Sequence, residues 1–304
     1  MTTPDTKTNE TKTTDTTTRS AAQARIREDY AHIARTTRDA GCCAGACGVT
    51  ESIDADELAA RIGYTREELD ALPKDANMGL SCGNPGAIAA LAEGETVLDL
   101  GAGAGFDCFL AGPRVGAGGR VIGVDMTPEM VARARGNTAQ YERATGLSNV
   151  EFRLGEIEHL PVADASVDVI LSNCVVNLSF DKPRVWEEVA RVLRPGGRVA
   201  ISDIALFEPL PEEVRGIAES WAGCVAGASL IDDLRAHMTR AGLGRIVLTP
   251  KPGYVEALVE ADDPLYARIG AMLPEGRAIG EYITSVEIRA VKPGGCGCAG
   301  GACG

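Results

Sequence analysis

Residues 97–111, VLDLGAGAGFDCFLA, decide the fold. A short β-rich run ends in three glycines at alternate positions, and a helix begins directly after them. Gly101 and Gly103 permit tight backbone geometry beside a ligand, and Gly105 permits close helix packing. The plain alternative is an ordinary strand-to-helix turn. A G-x-G-x-x-G dinucleotide fingerprint fails in detail, because its last glycine falls on Phe106 or Cys108. The G-x-x-x-x-G-K-[ST] phosphate loop is absent from this stretch as well.

Downstream, RVIGVD, FRLGEIEHL, VDVILSN, GRVAISDI and GRIVLTP read as strands. They alternate with the helical stretches PEMVARARGNTAQYERATG, KPRVWEEVARVL and LIDDLRAHMTRAG. Such alternation predicts an α/β fold: a doubly wound, mainly parallel seven-stranded sheet with helices on both faces. YITSVEIRAV reads as a last strand, at an edge or antiparallel, within a smaller C-terminal subdomain. Asp125 ends the strand after the glycine loop, where such sheets bind ribose, although an Asp there also serves as a helix cap. Met126 follows it as an adenine-packing side chain. Glu156 and Ile157 are expected at the end of another strand, offering adenine a backbone amide and an apolar wall.

Upstream, DADELAARIGYTREELDAL predicts helical segments broken near Gly63, with Thr65 capping the second. The expected division is a disordered tail over 1–24, a helical and cysteine-loop segment over 25–85, a core domain over 86–250, a C-terminal segment over 251–293 and a flexible Gly/Cys tail over 294–304. Formal net charge is −13, from 30 basic and 43 acidic side chains. Nucleic acid is therefore not an expected partner, since phosphate binding needs concentrated Lys and Arg. With no apolar leader and no stretch long enough to span a bilayer, a cytoplasmic monomer with no membrane partner is expected.

The series DLGAGAG, VDM, GEIE and LRPGG resembles the class I S-adenosylmethionine-dependent methyltransferases over roughly 96–250. The resemblance implies S-adenosylmethionine as cofactor. It assigns Asp99, Gly101 and Gly103 to the methionine and sugar portions, Asp125 to the ribose, Met126 and Ile157 to the adenine, and Asn173 to the methionine end.

Methyl transfer to nitrogen or oxygen calls for a base to take up a proton. The three histidines, His32, His159 and His237, stand in ordinary surface or packing contexts. The ten cysteines are more telling. Without a secretory signal they favour soft-ion or redox chemistry over a disulfide scaffold. Cys82 lies in GLSCGNP, Cys174 follows Asn173 in SNCVVNLS, and Cys224 lies in WAGCVAGAS, all in loops expected to converge at the cofactor mouth. A cysteine is also a small buried hydrophobe, which would explain any one of them. Three thiolates suit a thiophilic ion: zinc with a fourth ligand, or trivalent arsenic. Arsenic bound to three sulfurs keeps a lone pair that can take a methyl with no proton to remove.

NMGLSCGNP, SNCVVNLSFDKPRVWEEVARVLRPGGRVAISDI and WAGCVAGAS, with YAHIART…GCCAGACG and DPLYARI…YITSVEIRAVKP, resemble the arsenite methyltransferase family. The likeness runs from about residue 25 to 293. It implies that Cys82, Cys174 and Cys224 are the catalytic residues that grip arsenic(III), free or as thiol conjugates, with 205–230 contributing to the site. It also implies glutathione or thioredoxin as reductant. One of Cys42, Cys43 or Cys47 is implied as an assisting thiol. Val176 stands where some relatives carry a further cysteine. The competing readings are a methyltransferase for a small organic substrate and a non-catalytic metalloid-binding protein.

Overall fold

The computed structural model describes residues 7–36, 55–215, 224–260 and 263–294. Its sheet runs β3-β2-β1-β4-β5-β8-β7, and a two-residue strand, β6 (Ser229–Leu230), pairs with β5 off this path. The strands are β1 (Thr96–Leu100), β2 (Arg120–Asp125), β3 (Val150–Leu154), β4 (Val167–Asn173), β5 (Leu193–Leu206), β7 (Gly244–Lys251) and β8 (Ile283–Val291). β3, β2, β1, β4 and β5 are mutually parallel, whereas β8 runs antiparallel to both β5 and β7. The chain order reverses between β1 and β4, so a crevice opens beyond their carboxyl ends.

The period-2 pattern builds two cores. Leu98, Leu100, Ile122, Val124 and Ile170 face α7 (Lys182–Val192) and α9 (Ile231–Arg240), packing on Trp186, Val189, Leu234 and Met238. On the other face Val97, Val121, Val169 and Leu171 meet α5 (Phe106–Val115) and α6 (Pro128–Thr145). A third apolar cluster joins Cys82, Ile204, Leu206, Cys224 and Ile283 to Val255 of α10 (Pro252–Glu260) and Ile269 of α11 (Pro264–Ala271). The C-terminal segment therefore walls the cysteine region with hydrocarbon.

Several expectations shift. β8 is antiparallel but not an edge: it is buried on both faces, and β7, alternating half-buried and exposed, takes the edge. The Pro195-Gly196-Gly197 turn lies within β5, with Gly196 at φ +85°. Helix α1 (Lys7–Thr36) extends through much of the stretch expected to be disordered. Its later turns bury Ile26, Ala31 and Ile33, and an anchored helix propagates outward one bond per residue. The short helices α2 (Ala55–Arg61) and α3 (Arg66–Asp70) break at Gly63 as expected, and Thr65 forms a capping box with Glu68. The remaining short helices are α4 (Pro85–Ala89) and α8 (Glu212–Arg215). Cys42, Cys43, Cys47 and the Gly/Cys tail beyond residue 294 lie outside the described residues.

Candidate active site

The crevice beyond β1 and β4 forms a cleft of ≈ 1040 Å³, its open mouth included. The glycine loop makes its floor. Gly101 has φ +69°, and a Cβ there would sit 2.1 Å from Val175 Cγ2, so it is required by packing against the β4 loop. Gly103 has φ +51° with nothing within 4 Å of its Cβ position, leaving its backbone open to a ligand. Gly105 starts α5 against Phe109 and Phe152, the close helix packing expected of it.

Asp125 accepts hydrogen bonds from the N–H of Gly103 (3.0 Å, Oδ2) and of Thr127 (2.8 Å, Oδ1). Burial raises its pKa against those two bonds. A carboxylate has about four lone-pair sites, so acceptor capacity remains for a diol. Met126 and Ile157 line the cleft. Glu156 does not: its carboxylate turns to Arg27 of α1 at 2.7 Å, while its neighbours Gly155, Ile157 and Glu158 face inward. β3 ends at Leu154, so Glu156 sits beyond the strand in a single bridge with His159.

Asp99 is 2% exposed, and its Oδ2 accepts from the Cys108 thiol at 3.3 Å. Its Oδ1 has no partner although it lies on the cleft wall. Burial, then the charge of Asp107, pushes its pKa well above the usual carboxylate range. An orphaned, buried carboxylate oxygen fits a cationic group such as the ammonium of a methionine moiety. Asp107, which sequence reading missed, accepts from Tyr64 Oη at 2.7 Å and is pushed up to about 6, chiefly by burial. Asn173 ties the cysteine loop to β4: its Oδ1 accepts from the Cys82 N–H (2.9 Å) and its Nδ2 donates to the Gly83 carbonyl (2.7 Å).

Immediately beyond Asn173 the three cysteines converge. A disulfide joins Cys82 and Cys174, with Cα atoms 6.1 Å apart. It is not a scaffold staple, because it ties together two of the three candidate ligands. The Cys224 Sγ donates to the Cys174 carbonyl at 2.9 Å. Both Cys174 (φ +56°) and Cys224 (φ +59°) occupy the left-handed region, which costs a side-chain-bearing residue about 1–2 kcal/mol. Strain of this kind concentrates at working sites. We expect Cys224→Gly to be more stable than Cys224→Ala by about 1 kcal/mol in urea unfolding under reductant, because only glycine is relaxed at this φ. Equal stabilities would show that the backbone there is unstrained.

Asp203 is the second missed residue. Its carboxylate and the sulfurs of Cys174 and Cys224 all lie within 4.8 Å of one another. It accepts from Asn177 Nδ2 and the Ile204 N–H, both at 2.8 Å, and burial raises its pKa to about 7. The signal was present in the register: β4 pairs β5 with Asn173 opposite Ser202, which sets Cys174 beside Asp203. Burial and Asp203 push the Cys224 thiol up, while a hydrogen bond from Tyr30 of α1 and the charge of Lys182 pull it down. Tyr30 also lines the cleft, so one helix touches both the cleft and the cysteine cluster.

Residues 91–242, half of the chain, match a family model described as a methyltransferase domain. An arsenite methyltransferase from Halobacterium salinarum is 49% identical over 276 residues, covering 88% of this chain and 66% of that relative. The solved arsenic(III) S-adenosylmethionine methyltransferase of Chlamydomonas reinhardtii superposes with a TM-score of 0.54 at 30% identity, covering 79% of this chain and 74% of that one. This chain belongs to the arsenite methyltransferase family. An arsenite methyltransferase from Mus musculus is 36% identical over 185 residues, 59% of this chain and 49% of that protein. The chain thus spans about two-fifths to two-thirds of the length of the curated arsenite methyltransferases it matches. A putative sarcosine dimethylglycine methyltransferase from Galdieria sulphuraria shares the fold, with a TM-score of 0.51 at 23% identity over 67% of this chain and 80% of that one. Within the family's class I fold, the spare acceptor capacity of Asp125, the open backbone at Gly103 and the orphaned Asp99 oxygen fit S-adenosylmethionine. Among the described residues no helix is long and apolar enough to cross a membrane.

Proposed function

We propose that this protein methylates trivalent arsenic held by Cys82, Cys174 and Cys224. One observation carries the reading: a three-cysteine cluster opens onto the donor cleft, with Cys174 on the cleft wall. S-adenosylmethionine, when bound, supplies an electrophilic methyl on a positively charged sulfur. Asp125 accepts the ribose hydroxyls, Met126 and Ile157 flank the adenine, and Asp99 faces the ammonium. Asn173 holds the Cys82 loop against β4, which keeps the sulfurs at the cleft. Arsenic(III) reaches the site as a thiol conjugate and exchanges onto the cysteines. The Cys82–Cys174 bond must first be opened by two-electron thiol exchange, a task suited to glutathione or thioredoxin in the cytoplasm.

The three-sulfur complex is neutral and pyramidal, and its lone pair needs no base. That suits this cleft, whose wall has no histidine among the described residues. The apolar cluster around Cys224 keeps water from the sulfurs, and a reaction that neutralises a sulfonium is favoured away from water. After one methyl is added, arsenic has fewer bonds for sulfur, so later rounds use fewer cysteines.

The test is mass-resolved transfer from methyl-labelled S-adenosylmethionine to arsenic(III) in excess reduced thiol. Labelled methylarsenic is expected with reductant and only background without it. No labelled arsenic from a reduced, cofactor-binding protein would overturn the proposal and direct attention to organic acceptors.

A further inference from the structure

We propose that Cys82, Cys174, Cys224 and Asp203 form a four-ligand site for a thiophilic divalent cation of the zinc and cadmium class. The inference rests on the sulfur cluster and not on methyl transfer. Arsenic(III) is satisfied by three sulfurs and must leave its fourth direction to the methyl. A zinc-class dication instead closes a tetrahedron of N, O and S donors. The cluster supplies the oxygen: the Asp203 carboxylate stands within 4.8 Å of both the Cys174 and Cys224 sulfurs. Tetrahedral metal–sulfur and metal–oxygen bonds of about 2.3 and 2.0 Å place neighbouring donors about 3.5–3.8 Å apart. For these three donors, all within 4.8 Å of one another, closure takes about 1 Å of side-chain movement; Cys82 stands outside that group and joins it through the sulfur released from Cys174 when the disulfide opens.

Charge and support agree with this assignment. Three thiolates around a dication leave one negative charge, and the carboxylate adds a second. Lys182, half-buried at the start of α7, acts electrostatically on both Asp203 and Cys224 and offsets part of that charge. Asn177 and the Ile204 N–H fix the carboxylate from behind, the outer support that metal-binding carboxylates need. Binding involves no redox change once the disulfide is open. In the test a water-soluble phosphine opens it, becoming the phosphine oxide with an oxygen from water and leaving two thiols. The cation then displaces the thiol protons into solvent. Its own chemistry gives it no lone pair to take a methyl, so a bound dication blocks the site.

The probe is cadmium-113 added to one equivalent to the phosphine-reduced full chain, read by cadmium NMR, where S3O and S4 shells resonate in separate ranges. We expect a resonance in the S3O range that disappears in Cys224→Ser, which separates this site from the six cysteines outside the described residues. Asp203→Asn should shift the resonance and weaken cadmium binding by about tenfold or more, since even outer-shell changes cost 10–100-fold. A wild-type resonance in the S4 range, or one unchanged in Cys224→Ser, would overturn the proposal without needing the Asp203 variant to fold. Binding of equal affinity in a folded Asp203→Asn would overturn it as well. Methyl transfer is not part of the readout, so either conclusion can fail alone.

Discussion

Cys174→Ser and Cys224→Ser, each reduced and each still binding S-adenosylmethionine, are expected to form labelled methylarsenic from arsenic(III) at about a hundredth of the wild-type rate or less. A hundredfold corresponds to about 2.7 kcal/mol of lost transition-state stabilisation. Serine is close to cysteine in size but is a hard, poorly ionised donor, and a soft acceptor atom discriminates strongly against it. The two positions are not spare core thiols. Both are held in the left-handed region beside Asp203, an arrangement that packing alone would not select. Methylarsenic(III) as starting substrate sharpens the test. It has one bond fewer for sulfur, so at least one single Cys→Ser variant among positions 82, 174 and 224 should keep most of its turnover on it. If all three variants methylate arsenic(III) at wild-type rates, the sulfurs are not the substrate cradle. If all three lose methylarsenic(III) as completely as arsenic(III), stepwise release of sulfur ligands is wrong.

Tyr30 extends the same logic to the N-terminal helix. It lines the donor cleft and hydrogen-bonds Cys224, so α1 closes over both halves of the site. Arg27–Glu156 and Arg35–Glu129, at 2.7 and 2.9 Å, join that helix to the segment beyond β3 and to α6. These ion pairs are substantially exposed and individually worth little. The burial of Ile33 with Met78, Ala104 and Met130 does more to hold α1 in place.

What the sequence made legible was local. Alternating strands and helices and the glycine loop carry their own period or backbone requirement, so the doubly wound sheet and its switch point could be read directly. The meeting of the three cysteines was legible as well, because all three stood in loops expected to converge at that end of the sheet. What escaped depended on partners distant in sequence. Gly101 was read as clearance for a ligand, yet its tightest demand is Val175, 74 positions on. Glu156 was given to adenine through its backbone amide, and nothing in the sequence showed that its carboxylate is held by Arg27 of a helix that arrives from outside the sheet. Asp203 went unseen because it acquires meaning only when β5 lies beside β4 in a fixed register. β8 read from its alternation as an edge or an antiparallel strand; it is antiparallel, and only its insertion between β5 and β7 shows why Thr284 and Ser285 tolerate full burial.

Between about pH 5 and 7.5 the reduced, ligand-free protein is expected to lose stability as pH rises, and Asp203→Asn should flatten much of that slope. The sign follows from the buried carboxyls. Asp203 has a folded pKa of about 7 against about 3.9 unfolded, so across this interval the folded state holds a proton that the unfolded state has released. Its contribution is complete below pH 4 and is lost as pH climbs through 7, on the order of 4 kcal/mol in all. Asp107, raised to about 6, adds to the fall, and so do the raised Asp99 and Asp125. The ion-paired carboxylates Glu95, Glu151 and Glu188 are lowered and act below this window. His237 is also lowered and contributes a rise, which is smaller because the ring is only partly buried. Asparagine reproduces the shape of the protonated acid and removes the ionisation. Urea midpoints across the interval should therefore fall steeply in wild type and shallowly in the variant, which becomes the more stable protein at the upper end. A wild-type midpoint that rises with pH would mean that Lys182 and the three hydrogen bonds from Asn177 and Ile204 already hold Asp203 ionised. The site would then carry a fixed negative charge beside Cys224 at every pH of interest.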